Sequence, residues 1–218
     1  MSKLYFWPST NGIKITILLE ELGVTSEIVP LNIRAGEQKN EEFKRINPNQ
    51  KIPAWYEEGD ATTAPLAIFE SGAILLYLAE KHGRFLPREG VGRYAVLQWL
   101  IWHSAQLSPA LSQYQRFREL IPEQIGQAQL DAAIADVKRQ YAILDAHFAQ
   151  HEYLADEYSI ADIAVLPWIQ PRRQGQQLAD YPHLAAWFER VHGRAAVQKA
   201  YAHGRSISAN EKALADWR

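Results

Sequence analysis

The chain has 218 residues, 23 Lys and Arg against 25 Asp and Glu, and a net charge of −2. That length suits two small domains or one large one, and a chain of this size buries roughly 70% of its unfolded surface without needing staples or metals. The near-neutral charge, with Lys and Arg scattered, offers no electrostatic footprint for nucleic acid or an anionic membrane. No stretch approaches the ~20 apolar residues of a membrane span. There is no cysteine, which removes disulfides and thiolate metal sites, so thiol chemistry would need a thiol brought by a ligand. The opening residues are broken too early by Pro8 to read as a signal peptide, and cytoplasm is the expected location.

In chain order, residues 3–7 read as an aromatic buried strand ending at Pro8. Ser9, Thr10, Asn11 and Gly12 form a loop with helix-cap chemistry. Ile13, Ile17, Leu18 and Leu22 follow helical spacing, and Gly23 stops the helix. A second strand is predicted over residues 26–33, a polar loop over 36–40 and a short helix over 41–46. Residues 54–56 and 66–69 read as a hairpin with its turn near Gly59, and residues 71–82 as a helix closed by Gly83. The order β-α-β-α-β-β-α is a thioredoxin-like pattern. Residues 84–90 read as a linker. From Val91 onward the signals are helical: residues 94–121 with a kink at Pro109, residues 124–148, and a further helix from Tyr181-Pro182. The predicted division is therefore 1–83, 84–90 and 91–218.

Two tracts carry chemistry. Asn47-Pro48-Asn49-Gln50-Lys51-Ile52-Pro53 leads into a strand, and Pro53 is a candidate cis residue whose turn would aim free backbone groups at a ligand. Glu70-Ser71-Gly72 opens an apolar helix. Ser71 offers a hydroxyl and a helix N-terminus to a carboxylate, and Glu70 suits an ammonium. Together they describe a pocket for a ligand with a peptide-like backbone and an amino-acid head, such as glutathione. Ser9, Thr10 and Asn11 lie after the first strand, where α/β folds bind ligands. One of them caps the helix, and a hydroxyl or amide there could donate to a bound thiolate. Tyr5, inside the strand, reads as core.

In the second half, Ser159-Ile160-Ala161-Asp162 has capping-box spacing, with Tyr158 and Ile163 at staple positions. It reads as a folding device without a catalytic role. Trp102, His103 and Gln106 share a helical turn, and Trp168 and Arg172 are spaced i, i+4. These could line an aromatic pocket or simply pack between helices. The seven histidines show no His-Glu-x-x-His metal spacing, and no glycine-rich phosphate loop is present.

Residues 6–14, 47–53 and 69–74, together with 159–162 and 181–190, resemble the cytosolic glutathione transferases, most closely their nu class of bacterial disulfide-bond reductases. The resemblance covers nearly the whole chain. It implies a thioredoxin-like domain followed by an all-helical domain, assembled as a homodimer, with glutathione as cosubstrate and no metal. At matching positions, Gln38 and Lys51 would meet the glycyl end, Ile52 with cis Pro53 the cysteinyl segment, and Glu70 and Ser71 the γ-glutamyl head. Asn11, with Ser9 or Thr10, would serve the sulfur, and Trp7 would join Trp102, His103, Gln106, Trp168 and Arg172 at the second substrate. The implied activity is reduction of disulfides, with peroxidase and modest transferase activity. A conjugating transferase for one electrophile and a non-enzymatic glutathione-binding module are the alternatives.

Overall fold

A computed structural model describes residues 1–119 and 124–208. The expected helix end at Ile121 and the chain end over 209–218 lie outside the described residues. The described residues form two compact units: residues 1–84 joined by residues 194–208, and the stretch from Phe85 to Gly193.

In the first unit, β1 (Ser2–Phe6), α1 (Thr10–Leu22) and β2 (Glu27–Pro30) make a parallel crossover. After α2 (Glu41–Ile46), β3 (Ala54–Glu57) and β4 (Leu66–Phe69) form an antiparallel hairpin leading to α3 (Ser71–His82). The sheet order is β2-β1-β3-β4. Leu4 stands opposite Ile28 on one side and Trp55 on the other, and Trp55 stands opposite Ile68. This is the thioredoxin-like arrangement expected from the element order.

Boundaries differ from the pattern for local reasons. Trp7 leaves β1 because its carbonyl turns to accept the Ser9 amide at 2.7 Å. β2 stops at Pro30 because Asn32 Oδ1 accepts from the amides of Arg34 and Ala35, drawing the backbone into a side-chain-stabilised turn. α1 is capped by Ser9, whose Oγ accepts from Gly12 N at 3.1 Å, and closed by Gly23 in the left-handed region at φ 69°. Gly12 is required where it stands, since a Cβ there would lie 2.2 Å from the Trp7 carbonyl oxygen.

α1 is enclosed by the core of its unit. Ile13, Ile15, Ile17 and Leu18 are all 0% exposed. α9 (Ala195–Ile207) packs along it, with Arg194 on Glu21 at 2.6 Å and Lys199 on Glu20 at 3.1 Å. The sequence pattern gives this helix to the C-terminal half, but its contacts place it in the first unit. Glu57 ties α3 to β3 by accepting from Trp55 Nε1, the Tyr77 hydroxyl and Lys81 Nζ.

In the second unit, α4 (Gly90–Trp102) and α5 (Ser108–Glu119) are joined by one wide helical turn, His103–Leu107, in which the Ser108 amide reaches back to the His103 carbonyl. The expected irregularity at Pro109 thus falls just before it. Proline lacks an amide and crowds the carbonyl four residues earlier, and a widened turn relieves both. α6 (Gln127–Phe148), α7 (Ile160–Val165) and α8 (Pro182–His192) complete the unit.

Ser159 caps α7: Asp162 Oδ2 accepts from the Ser159 amide while Ser159 Oγ accepts from Ala161 N. The Tyr158 ring, beside the cap, meets the rings of Phe85 and Tyr153. α8 starts on Pro182 without a cap of its own. Asp145 of α6 supplies one, accepting from the amides of His183 and Leu184. No described helix is long and apolar enough to cross a membrane.

Candidate functional site

Three segments of the first unit hold the residues singled out for ligand binding. The first is the β1–α1 loop. Ser9, Thr10 and Asn11 are all half-buried there. Ser9 is the residue that caps, with its oxygen committed to Gly12 N and its hydroxyl proton still available to donate. Thr10 and Asn11 occupy the first turn of α1, where the helix dipole favours negative charge. Trp7 is buried at 8% exposure, and its indole N–H has no hydrogen-bond partner among the described residues.

The second segment runs from Asn47 to Pro53. The Ile52–Pro53 peptide is cis. Asn47, 2% exposed, organises the turn: its Nδ2 donates to the Lys51 carbonyl at 2.6 Å, and its Oδ1 accepts from Asn49 N. Gln50 sits in the left-handed region at φ 54°, with its amide on the Asn47 carbonyl. Lys51 is left exposed, and the backbone of half-buried Ile52 is not taken by another backbone group among the described residues. Gln38, in the short turn Glu37–Lys39, has a buried Oε1 without a partner among the described residues.

The third segment is the start of α3. Glu70 holds a positive φ of 71°, a strained conformation for a residue with a Cβ, and its side chain does not cap the helix. The first-turn amides of α3 are therefore not used by a local side-chain cap, which is the arrangement that binds carboxylates. Ser71 is half-buried and Glu70 exposed.

Sequence reasoning missed Lys14. It is 1% exposed on α1, and its Nζ donates to Ser71 Oγ at 3.3 Å. Burial holds its ammonium well below the usual lysine range, and the Glu70 carboxylate pulls the other way. The signal was available only in part: a charged residue among apolar neighbours reads as solvent-facing unless the whole helix is enclosed.

In the second unit the structure brings His103 and Trp168 together, both buried, with ring centroids 6.0 Å apart in an edge-on arrangement. Trp168 is held by Gln174, which donates to its carbonyl at 2.6 Å and accepts from Tyr141. Trp102 is half-buried and meets Trp99 edge-on. Gln106 and Arg172 are exposed. Beside them, His147 lies between Trp99 and His151, a stack that spacing alone did not single out. Among the described residues, no group of three or more His, Asp or Glu side chains is placed to hold a metal.

A thioredoxin-like unit carrying a strand-entry loop with a cis peptide and an open helix N-terminus, with a helical unit inserted before its last helix, defines a class of protein. Residues 1–80 match the glutathione S-transferase N-terminal domain and residues 107–195 the corresponding C-terminal domain. The chain belongs to the glutathione S-transferase family. It is 42% identical over 203 residues to the Escherichia coli disulfide-bond oxidoreductase YfcG, covering 92% of this chain and 94% of that protein. It is 35% identical to YghU, a second disulfide-bond oxidoreductase of the same organism, over 90% of this chain and 73% of that one. Among solved structures, a Pseudomonas putida glutathione transferase with one glutathione disulfide bound per subunit superposes with a TM-score of 0.84 at 33% identity, covering 92% of this chain and 90% of that one. A Pseudomonas fluorescens family member with two glutathione molecules bound gives 0.83 at 32%, with 91% of each chain covered.

Proposed function

We propose that this chain is a glutathione-dependent disulfide-bond reductase with accompanying peroxidase and modest transferase activity, acting in the cytoplasm as a homodimer. The observation that carries the reading is the combination, in one compact unit, of an open helix start at Ser71, the Ile52–Pro53 turn and a loop of donors at a helix N-terminus, in a chain without cysteine. The attacking sulfur must then come from the ligand. YfcG and YghU, named for disulfide-bond chemistry, and the relatives crystallised with glutathione or its disulfide support the same reading.

Each residue takes one task. The first-turn amides of α3 and the Ser71 hydroxyl receive the γ-glutamyl carboxylate, and Glu70 receives its ammonium. The Ile52 backbone pairs with the cysteinyl segment. Gln38 and Lys51 meet the glycyl end. Asn11, with Ser9 or Thr10, donates to the sulfur. The glutathione-binding domain is residues 1–83, with α9 packed onto it, followed by a linker over 84–90 and, within 91–218, the helices α4 to α8 as the substrate domain. There half-buried Trp102 and exposed Gln106 and Arg172 are the groups offered to the second substrate, while buried His103 and Trp168 pack against each other.

In the reaction the thiolate of glutathione attacks one sulfur of the disulfide in line. An S–S bond forms as the old one breaks, and the second sulfur leaves as a thiolate that takes up a proton. A second glutathione thiolate attacks the glutathione sulfur of the mixed disulfide, giving glutathione disulfide and releasing the remaining thiol. The protein contributes position and stabilisation of the thiolate. For a homodimer, the support is a stripe on α4 where Val91, Tyr94 and Ile101 are 88%, 71% and 64% exposed.

The test is a parallel assay of the purified chain at saturating glutathione with a small disulfide, a peroxide and a standard electrophile. Disulfide reduction is expected to be at least about tenfold faster than conjugation, the step that about 1.4 kcal/mol of barrier separates. Faster conjugation would move the assignment to a specific transferase, and silence with all three, in a chain that binds glutathione, to a binding module.

A further inference from the structure

Position 14 is a costly place for a charge. Its neighbours Ile13 and Ile15 are 0% exposed, α1 packs on α3 here, and a Met or Leu would fill the same space without desolvating an ammonium. The buried end of Lys14 nevertheless lies on Ser71 Oγ, the hydroxyl that the proposed function gives to the ligand's carboxylate. Glu70, the other residue of that helix start, is electrostatically coupled to the same lysine.

A serine hydroxyl has one proton and two lone pairs. When Lys14 donates to Ser71 Oγ from the interior, one lone pair is occupied and the proton is directed away from the lysine. We propose that Lys14 is a positioning residue of the γ-glutamyl subsite: by donating to Ser71 Oγ from the interior it turns the Ser71 hydroxyl proton toward the ligand's α-carboxylate. The α3 amides and the oriented hydroxyl then act on the same anion. This rests on the reading of α3 as the glutathione-head site. It adds that selectivity for an α-carboxylate depends on a residue that does not itself touch the ligand.

The experiment compares glutathione with 4-aminobutyryl-cysteinyl-glycine, which lacks only the α-carboxylate, by calorimetry on the wild type, Lys14→Met, Lys14→Gln and the pair Ser71→Ala and Ser71→Ala/Lys14→Met. The wild type is expected to prefer glutathione by about 10-fold to 100-fold, the range of a hydrogen bond to a charged group. Lys14→Met and Lys14→Gln should each lower that preference about tenfold while leaving affinity for the analogue within about threefold. In the Ser71→Ala background, removing Lys14 should change the preference far less, because the hydroxyl it orients is gone. Full preference retained in either folded Lys14 variant overturns the inference and leaves the glutathione reading standing. A wild type that binds neither peptide overturns the glutathione reading itself, and this inference with it. Equal loss of affinity for both peptides marks Lys14 as merely structural and also overturns the proposal.

Discussion

Replacing Asp162 with Ala is expected to cost the protein about 4 kcal/mol at neutral pH and to lower its melting temperature by about 10 °C. Asp162 is 0% exposed and accepts four hydrogen bonds: from the amides of Leu154 and Ser159, the Ser159 hydroxyl and Trp187 Nε1 at 2.9 Å. It therefore joins the start of α7 to the chain before it and to α8. Alanine leaves these buried donors without an acceptor, and each orphaned group costs about 1–3 kcal/mol. Loss of the Ser159 cap alone would cost about 1 kcal/mol.

Burial pushes the Asp162 carboxyl up to about 6, against the pull of its four donors. The folded state thus holds this proton more tightly than the unfolded state, whose aspartate titrates near 3.9. The stability it contributes is complete below about pH 4 and is lost as pH rises through about 6. The margin by which wild type exceeds Asp162→Ala should accordingly be widest near pH 4 and narrow by about 3 kcal/mol toward pH 8. Chemical denaturation of both proteins across that range checks it. A margin that grows with pH would mean that the four donors outweigh the burial.

The second large effect is expected in the first loop. Asn11→Ala should lower kcat for glutathione-dependent disulfide reduction about 100-fold, with glutathione affinity within about threefold of wild type. A preorganised donor removed from a developing or stabilised anion costs about 10²–10³ in rate, and two pKa units of thiolate stabilisation amount to about 2.7 kcal/mol. Asn11 stands in the first turn of α1, so in the proposed site its amide and the helix dipole would act on the same sulfur. Ser9→Ala should behave differently. Its oxygen caps the helix on Gly12 N, so about 1 kcal/mol of stability goes with it whatever happens to the rate. Full activity in Asn11→Ala would remove that residue from the sulfur site.

Much of this architecture could be read from the chain alone because its signals are local. Gly23 and Gly83 end α1 and α3 in the left-handed region, Ser159 and Asp162 form their box, and Ile52–Pro53 is cis at the strand entry. Each is a backbone preference written in one or a few adjacent residues. What escaped depends on distant partners. Lys14 looks like a surface residue until α3 and the rest of the core enclose α1, and the capping of α8 depends on Asp145, 37 positions before Pro182. The location of α9 was hidden for the same reason: its buried face of Val197, Ala200, Tyr201 and Gly204 is an ordinary amphipathic stripe, and only Glu20 and Glu21 on α1 disclose what it packs against. The wide turn at His103–Leu107 was half visible, since Pro109 predicts an irregularity without saying on which side it falls.

Whether the first unit holds glutathione as a thiolate is decided by titrating the ultraviolet absorbance of the thiolate in the glutathione-saturated protein. The bound thiol is predicted to ionise about two units below the ordinary thiol value of about 8.5, and to return most of the way toward it in Asn11→Ala. A bound thiol that ionises at the ordinary value in the wild type would mean that the first unit does not hold glutathione as a thiolate.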